Sequence, residues 1–199
     1  LDGLLYGTYL GGDGLDVAQA LKLDGAGGLW LAGYTLSRDF PVTPNAYRTF
    51  NAGVSDVFLT RLDLSRLRSR EAISYSTYLG GVDTDVLYGL ALAPGGRIAL
   101  AGYTYSADFP RVGSSASAPM LADAFVALLD PAIPGPGALA YSAVIGGIYI
   151  DTATGVAVDA SGRILVSGYT NSPDLPVTDG SKKPSPPGAT QSFVVQVAP

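Results

Sequence analysis

The pattern of apolar and polar residues predicts short β-strands that recur three times along the chain. The first strand of each copy is predicted at Asp16–Leu23, Asp85–Leu92 and Asp151–Val158, with large apolar residues on one face and mostly small residues on the other. Aspartate, glycine and proline follow these runs, as hairpin turns require. A second strand, apolar on both faces, is predicted at 29–32, 98–101 and 164–167. It should therefore lie in the middle of a sheet.

Two further strands complete each copy. The third is predicted at 57–62, 124–129 and 193–197, and the fourth within 6–12, 75–81 and 141–147. No segment between these strands has the spacing of apolar residues that predicts a long amphipathic helix. The copies recur at about 66–69 residues, and a fixed long period indicates one supersecondary unit stacked on copies of itself. We predict a single repeat domain over 1–199, with copies at about 5–63, 74–130 and 140–198.

Four antiparallel strands per copy are typical of a propeller blade. The predicted fold is all-β, with three four-stranded antiparallel blades; another threefold all-β form, such as a β-trefoil, is the alternative. The sequence places a fourth strand at 4–10 and a third strand at 193–198, and we expect these two to pair, within one chain or between two. Closed propellers typically have about 4–8 blades. Three blades therefore predict either a homo-oligomeric ring or part of a longer propeller.

Composition excludes several classes of function. The chain has no Cys and no His, which removes thiol nucleophiles, disulfides, Cys/His zinc sites and Ser-His-Asp triads. A net charge of −5 argues against a nucleic-acid partner. No run approaches the roughly 18 apolar residues of a membrane helix, so no membrane span is predicted. The lack of cysteine suits a secreted or cell-surface protein whose targeting peptide is already removed.

Several recurring motifs resemble a known family. Tyr-Ser-Thr-Tyr-Leu-Gly-Gly at 75–81, Gly-Tyr-Thr-x-Ser-x-Asp-Phe-Pro at 33–41 and 102–110, and Thr-Pro-Asn-Ala-Tyr at 43–47 resemble the β-propeller repeat called SBBP. The resemblance covers essentially the whole chain. It is weakest in the third copy, where Val144, Leu175 and Gln191 replace the Tyr, Phe and Asp of the earlier copies. It implies a propeller of bacterial extracellular and surface proteins, and it carries over no catalytic residue.

Recurring aspartates are the candidate metal ligands. Carboxylates on a glycine-rich loop could bind Ca²⁺ through hard oxygen ligands. No complete helix-loop-helix calcium pattern is present, and an Asp that accepts backbone N–H bonds in a turn explains the recurrence more simply. We therefore predict no cofactor, with Ca²⁺ as the alternative. The candidate ligands are Asp13, Asp16, Asp83 and Asp85.

The connections at 36–56, 105–123 and 171–191 differ most among the copies. Long, variable loops on a repeated scaffold are often functional, and Tyr and Arg are favoured at recognition surfaces. The candidate binding residues in these loops are Arg38, Tyr47, Arg48, Phe50, Lys182 and Lys183. Tyr34, Tyr103 and Tyr169 could also offer stacking platforms to sugars if they faced one axis, whereas core packing with a satisfied hydroxyl is the default expectation.

These observations predict a non-enzymatic extracellular or cell-surface scaffold of the propeller type. It should interact with a protein or glycan partner, or build an assembly. One alternative is a carbohydrate-active enzyme, a glycosidase or lyase, that uses Asp, Tyr and Arg in a cleft. A second alternative is a structural subunit of a larger surface assembly.

Overall fold

The computed structural model describes residues 2–69, 72–113, 121–178 and 189–199. These residues form eleven β-strands in three antiparallel sheets and contain no α-helix. Short 3-10 turns lie at Leu64–Arg66, Pro94–Gly96 and Gly135–Ala138. No helix in this described part of the chain is long and apolar enough to cross a membrane.

The first three strands of each repeat copy lie in one sheet, which we call a blade, and the first two blades take their fourth strand from the copy that follows. Blade I comprises β1 (Asp16–Leu23), β2 (Gly28–Thr35), β3 (Asp56–Asp63) and β4 (Ile73–Leu79) in that spatial order. Blade II comprises β5 (Asp85–Leu92), β6 (Ile98–Thr104), β7 (Asp123–Leu129) and β8 (Leu139–Ile145). Blade III comprises β9 (Asp151–Val158), β10 (Ile164–Thr170) and β11 (Gln191–Val197). This sequential order within separate sheets is the predicted blade arrangement, rather than the trefoil alternative.

Local chemistry explains where the strands end. At the hairpin between β1 and β2, the Asp24 carboxylate accepts the backbone N–H groups of Ala26 and Gly28, each at 2.8 Å. Gly25 and Gly27 have φ angles of 71° and 83°. Glycine adopts this left-handed region at little cost, so the Asp-Gly-rich sequence fixes the turn.

The blades pack face to face, with blade II between blades I and III. Ile98 and Leu100 of β6 face blade I, whereas Ala99 and Ala101 of the same strand face blade III. The small residues allow the sheets to approach closely: a Cβ placed on Gly89 of β5 would lie 3.0 Å from Cγ1 of Val156. The prediction that small residues mark crowded sheet faces is therefore confirmed here.

The outer faces of blades I and III are open. Leu21 in β1 is 62% exposed, whereas the equivalent Leu90 in β5 is 4% exposed because blade I covers it. Val194 in β11 is 73% exposed, whereas the equivalent Val126 in β7 is fully buried against blade III. The three blades thus form an arc whose two end faces have no covering blade among the described residues.

Blade III has three strands, so the prediction that residues 4–10 complete it within the chain is wrong. These residues form no strand, and Tyr9 is fully exposed. The physical reason is their attachment to blade I, where Leu10 packs beside Phe40, Phe58 and Tyr78 on the face that points away from blade II. The segment is therefore held at one end of the arc, and β11 lies at the other. Pairing between two chains remains a prediction.

Candidate functional site

One hydrogen-bond network recurs in all three blades, around the Asp that begins the first strand. In blade II, Oδ2 of Asp85 accepts the N–H of Gly81 at 2.7 Å and the Oγ–H of Ser106 at 2.9 Å. Asp16 accepts from Gly12 and Ser37, and Asp151 from Gly147 and Ser172, all at 2.8–2.9 Å. The aspartate thus ties the Gly-Gly loop before its strand to the loop that follows the second strand.

A second anchor holds the same loop. Oδ1 of Asp108 accepts the N–H of Val82 at 2.9 Å, and Oγ of Ser106 accepts the N–H of Asp83 at 2.9 Å. In blade I the backbone N–H groups of Asp13 and Gly14 donate to the side chains of Asp39 and Ser37. In blade III those of Ile148 and Tyr149 donate to the side chains of Asp174 and Ser172. The Gly-Gly, Ser and Asp positions of the repeat are therefore donors and acceptors of one structural unit.

The candidate Ca²⁺ ligands lie within this network. Asp16 and Asp85 already accept N–H and O–H donors. Asp83 accepts the N–H of Thr84 at 2.8 Å, and the N–H of Asp13 is bonded to Asp39. No group of three or more Asp, Glu, His or Cys side chains that could hold a metal ion occurs in the described ranges. Calcium binding at these four residues therefore stays a prediction.

Carboxyl groups from adjacent blades meet at each blade junction. At junction I/II, a Cβ placed on Gly80 would lie 2.6 Å from Oδ1 of Asp56 and 2.7 Å from Oδ2 of Asp85. At junction II/III, Asp123 lies beside Gly146 and is influenced by the charge of Asp151. Burial raises the pKa of Asp56 to about 6, and that of Asp85 and Asp123 to about 7.

These junction carboxyls were not identified as a group from the sequence. The available signal was an Asp at the start of the third strand in two copies, at positions 56 and 123, with Gln191 at the equivalent position of the third. Oδ1 of Asp56 and of Asp123 is buried and has no hydrogen-bond partner among the described residues. Such groups tend to retain a proton, because ionisation without compensation is costly in the interior.

The loop after β2 brings together three of the four candidate binding residues predicted there. The Arg48 guanidinium lies 5.6 Å from the Tyr47 ring centroid and 5.5 Å from that of Phe50. Nη1 of Arg48 donates to the Gly80 carbonyl at 2.6 Å, so this side chain also braces junction I/II. Arg38 is exposed and takes no part in these contacts. Lys182 and Lys183 lie outside the described residues.

Five tyrosines from the three blades gather in one exposed cluster, which we call the tyrosine patch. It consists of Tyr34, Tyr88, Tyr103, Tyr105 and Tyr169. The ring centroid of Tyr103 lies 5.9 Å from those of both Tyr88 and Tyr105. Tyr34 and Tyr169 are close enough to help raise the pKa of Tyr88 and Tyr103, for which burial is the largest cause.

Repeat geometry builds this patch. Tyr34, Tyr103 and Tyr169 are the penultimate residues of β2, β6 and β10, so equivalent positions on three blades converge. Tyr88 joins them because a bulge between Leu87 and Gly89 takes it out of the β5 ladder. The patch tyrosines are half-buried or exposed, and none of their hydroxyls has a hydrogen-bond partner among the described residues. Sequence reasoning found the three equivalent tyrosines and missed Tyr88 and Tyr105.

A family comparison assigns the repeat. Residues 140–176 match the SBBP family model, which is described as a β-propeller repeat. The resemblance inferred from the motifs is therefore confirmed in the third copy. The matched SBBP repeat runs from β8 to Pro176 and includes the acceptors Asp151, Ser172 and Asp174 of the recurring network. No curated protein matches the chain.

Proposed function

We propose that this chain is a non-enzymatic β-propeller-type scaffold, secreted or at a cell surface, that binds a glycan or protein partner at the tyrosine patch. The observation that carries the proposal is the convergence of one equivalent tyrosine from each blade at a single accessible place. Tyrosine offers a large rigid contact area at low entropic cost, which is why it dominates many recognition surfaces.

The chemistry of the patch favours an uncharged ligand. Burial is the largest cause of the raised pKa of Tyr88 and Tyr103, and the largest electrostatic contributions come from other tyrosines. Aromatic faces combined with a few polar groups are typical of small-ligand sites. A sugar ring has an apolar C–H face that packs on an aromatic ring, and its hydroxyls can bond to the free tyrosine hydroxyls. A neutral glycan is therefore the preferred ligand, with a protein as the second.

The positions of the acids at the blade junctions support a non-enzymatic role. Glycoside hydrolysis needs two carboxyl groups about 5–10 Å apart on either side of an accessible bond. Asp56, Asp85 and Asp151 are fully buried beneath the blade junctions, and Asp123 is nearly so. The elevated pKa of Asp85, which in an open cleft would suit a general acid, here results from burial between two sheets.

Binding to an array of neutral oligosaccharides, followed by titration calorimetry, tests this proposal. Tyr169→Ala and Tyr88→Ala should each weaken binding about tenfold or more, since truncating a central aromatic typically costs over 1 kcal/mol. Tyr149→Ala is the matched control, because Tyr149 is 44% exposed and lies outside the patch. Binding that all three variants retain would overturn the patch as the site. Turnover of a polysaccharide, abolished by Asp39→Asn, would overturn the non-enzymatic role.

A further inference from the structure

We propose that a second copy of this chain completes blade III. Residues 4–10 of one copy pair antiparallel with β11 of the other, and two three-bladed arcs close into one six-bladed ring. The inference goes beyond the proposed binding function and does not depend on any ligand. Six blades lie within the range of about 4–8 that closed propellers use.

The two complete blades provide the template for this pairing. In blade I, β3 pairs with β4 with Phe58 opposite Tyr78 and Leu59 opposite Thr77. In blade II, β7 pairs with β8 with Phe125 opposite Val144 and Val126 opposite Ala143. By repeat equivalence, Phe193 of one copy lies opposite Tyr9 of the other, and Val194 lies opposite Thr8. The edge of β11 is unpaired in the described structure, and such an edge is a template for another strand.

Leu10 already occupies the position that this arrangement requires. The equivalent Leu79, at the end of β4, belongs to the core at junction I/II together with Phe109 and Phe125 of blade II. Leu10 packs against Phe40 and Phe58 of blade I, which are the repeat equivalents of those two rings. The segment therefore lies against blade I as the last strand of a preceding blade would.

The two open faces of the arc are complementary in shape. Blade I presents Leu21 and Leu23, which are 62% and 63% exposed. Blade III presents small residues at the equivalent strand, including Gly155 and Ala157. Within the chain, a face with small residues accepts larger ones, as Gly89 of blade II accepts Val156 of blade III. Docking blade III of one copy on blade I of the other repeats this contact.

A recurring backbone hydrogen bond and one residue difference among the copies both support this junction between two chains. The N–H of Asp85 donates to the Ser55 carbonyl at 2.9 Å, and the N–H of Asp151 donates to the Ala122 carbonyl at 2.8 Å. The equivalent bond at the third junction joins Asp16 N–H of one copy to the Thr190 carbonyl of the other. Gln191 stands where the inner junctions have aspartate, so its amide can donate to the Asp16 carboxylate. The junction between chains thus avoids a second buried carboxyl.

Engineered cysteines test the pairing cleanly, because the chain has no cysteine of its own. One chain carries Thr8→Cys and another carries Val194→Cys; the two are mixed, oxidised and compared on a non-reducing gel. Directly opposite residues lie about 4.5–5.5 Å apart, and diagonal neighbours about 7–8 Å, too far for an unstrained disulfide. Thr8→Cys mixed with Ser192→Cys is therefore the register control, and each single-cysteine chain alone controls for random dimers.

We expect a crosslinked species of two chains from the first mixture, at least tenfold above both controls. Sedimentation equilibrium of the unmodified chain should give the mass of two chains, independent of further concentration. A chain carrying both cysteines that forms its disulfide at the mass of one chain would overturn the second copy as partner. A single-chain mass at all concentrations, or a ladder of growing masses, would overturn the closed ring.

Discussion

The same hydrogen-bond network is fully covered in blade II and partly open in blade I. Asp85 accepts from Gly81 and Ser106 in complete burial, whereas Asp16 makes the equivalent bonds at a half-exposed position. The local sequence and the bonds are alike, so the difference comes from the neighbouring blade. Blade I lies over Asp85, and no blade of the described chain lies over Asp16. Packing between repeats, rather than the repeat itself, therefore sets how much each bond contributes to stability.

The pH dependence of stability should show the largest effect of this covering. Burial raises the pKa of Asp85 to about 7, above its ordinary value of 3.8. The folded state therefore keeps a proton that the unfolded chain has lost, and stability falls as pH rises from 4 to 7. Each such carboxyl changes the free energy of unfolding by about 1.4 kcal/mol per pH unit within that window. Asp56 and Asp123, with pKa values of about 6 and 7, act in the same direction.

Urea unfolding at pH 5, 6, 7 and 8 measures this trend. Asp85→Asn should make the decline shallower, because that side chain no longer titrates. Asp63→Asn is the control: hydrogen bonds from Ser65 hold the Asp63 pKa below its ordinary value, so the decline should keep its slope. Stability that stays constant or increases from pH 5 to pH 8 would contradict the raised pKa values of the buried junction carboxyls.

A matched pair of glycine substitutions should show the next largest effect. In Gly80→Ala the new Cβ would collide with both Asp56 and Asp85, which are fully buried, and we expect a loss of about 2–3 kcal/mol. In Gly11→Ala the atoms nearest to the new Cβ all belong to the half-exposed side chain of Asp16, so the loss should be smaller, about 1 kcal/mol.

Denaturant unfolding at a protein concentration where the chain is a monomer gives both values. Gly137→Ala serves as a control, since its Cβ would meet only the side chain of Ile133, which is itself exposed. Equal losses for Gly80→Ala and Gly11→Ala would show that the second carboxyl, supplied by the adjacent blade, has no influence on the site.

Removing the serine hydroxyl from the network of blade II and from that of blade I should give a smaller difference in stability loss between the two blades. Ser106→Ala removes one of the two donors to Oδ2 of Asp85 and the acceptor of the Asp83 N–H, at a cost of about 2 kcal/mol. In Ser37→Ala, water can reach the half-exposed Asp16, so the cost should be about 1 kcal/mol or less. Thermal melts of both variants beside the parent, at a protein concentration where the chain is a monomer, measure the difference. A larger loss for Ser37→Ala would reverse the comparison.

The smallest expected effect concerns the arginine at junction I/II. Arg48→Met keeps the packing of the stem on Tyr47 and Phe50 but loses the bond to the Gly80 carbonyl, at a cost of about 1 kcal/mol. Its charge also lowers the pKa of Asp56, so the loss should be greater at pH 8 than at pH 5. Arg38→Met, at an exposed position, is the control. A loss that is the same at both pH values would show that the guanidinium acts through its hydrogen bond to Gly80 and not through its charge.

Much of the fold was predictable because its determinants are local and repeated three times. The first strands begin and end at the predicted residues, since Asp, Gly and Pro mark their limits. The role of Asp16 and Asp85 as turn acceptors was also predictable from their recurrence before a strand. Tyr88 could not be placed from the sequence, because its orientation depends on a bulge in β5. The burial of Asp56 and Asp123 depends on sheets that come from distant parts of the chain.

By itself, the sequence determined the strands of the three sheets, the turns and the donors and acceptors of the recurring network, because each depends on residues close together in one copy. Only the tertiary structure decided which copies are buried, which carboxyls keep a proton, and which tyrosines meet. It also decided that the segment at 4–10 and β11 lie at opposite ends of one arc. These properties depend on what covers each group, and loss of water from a side chain is set by its neighbours in space.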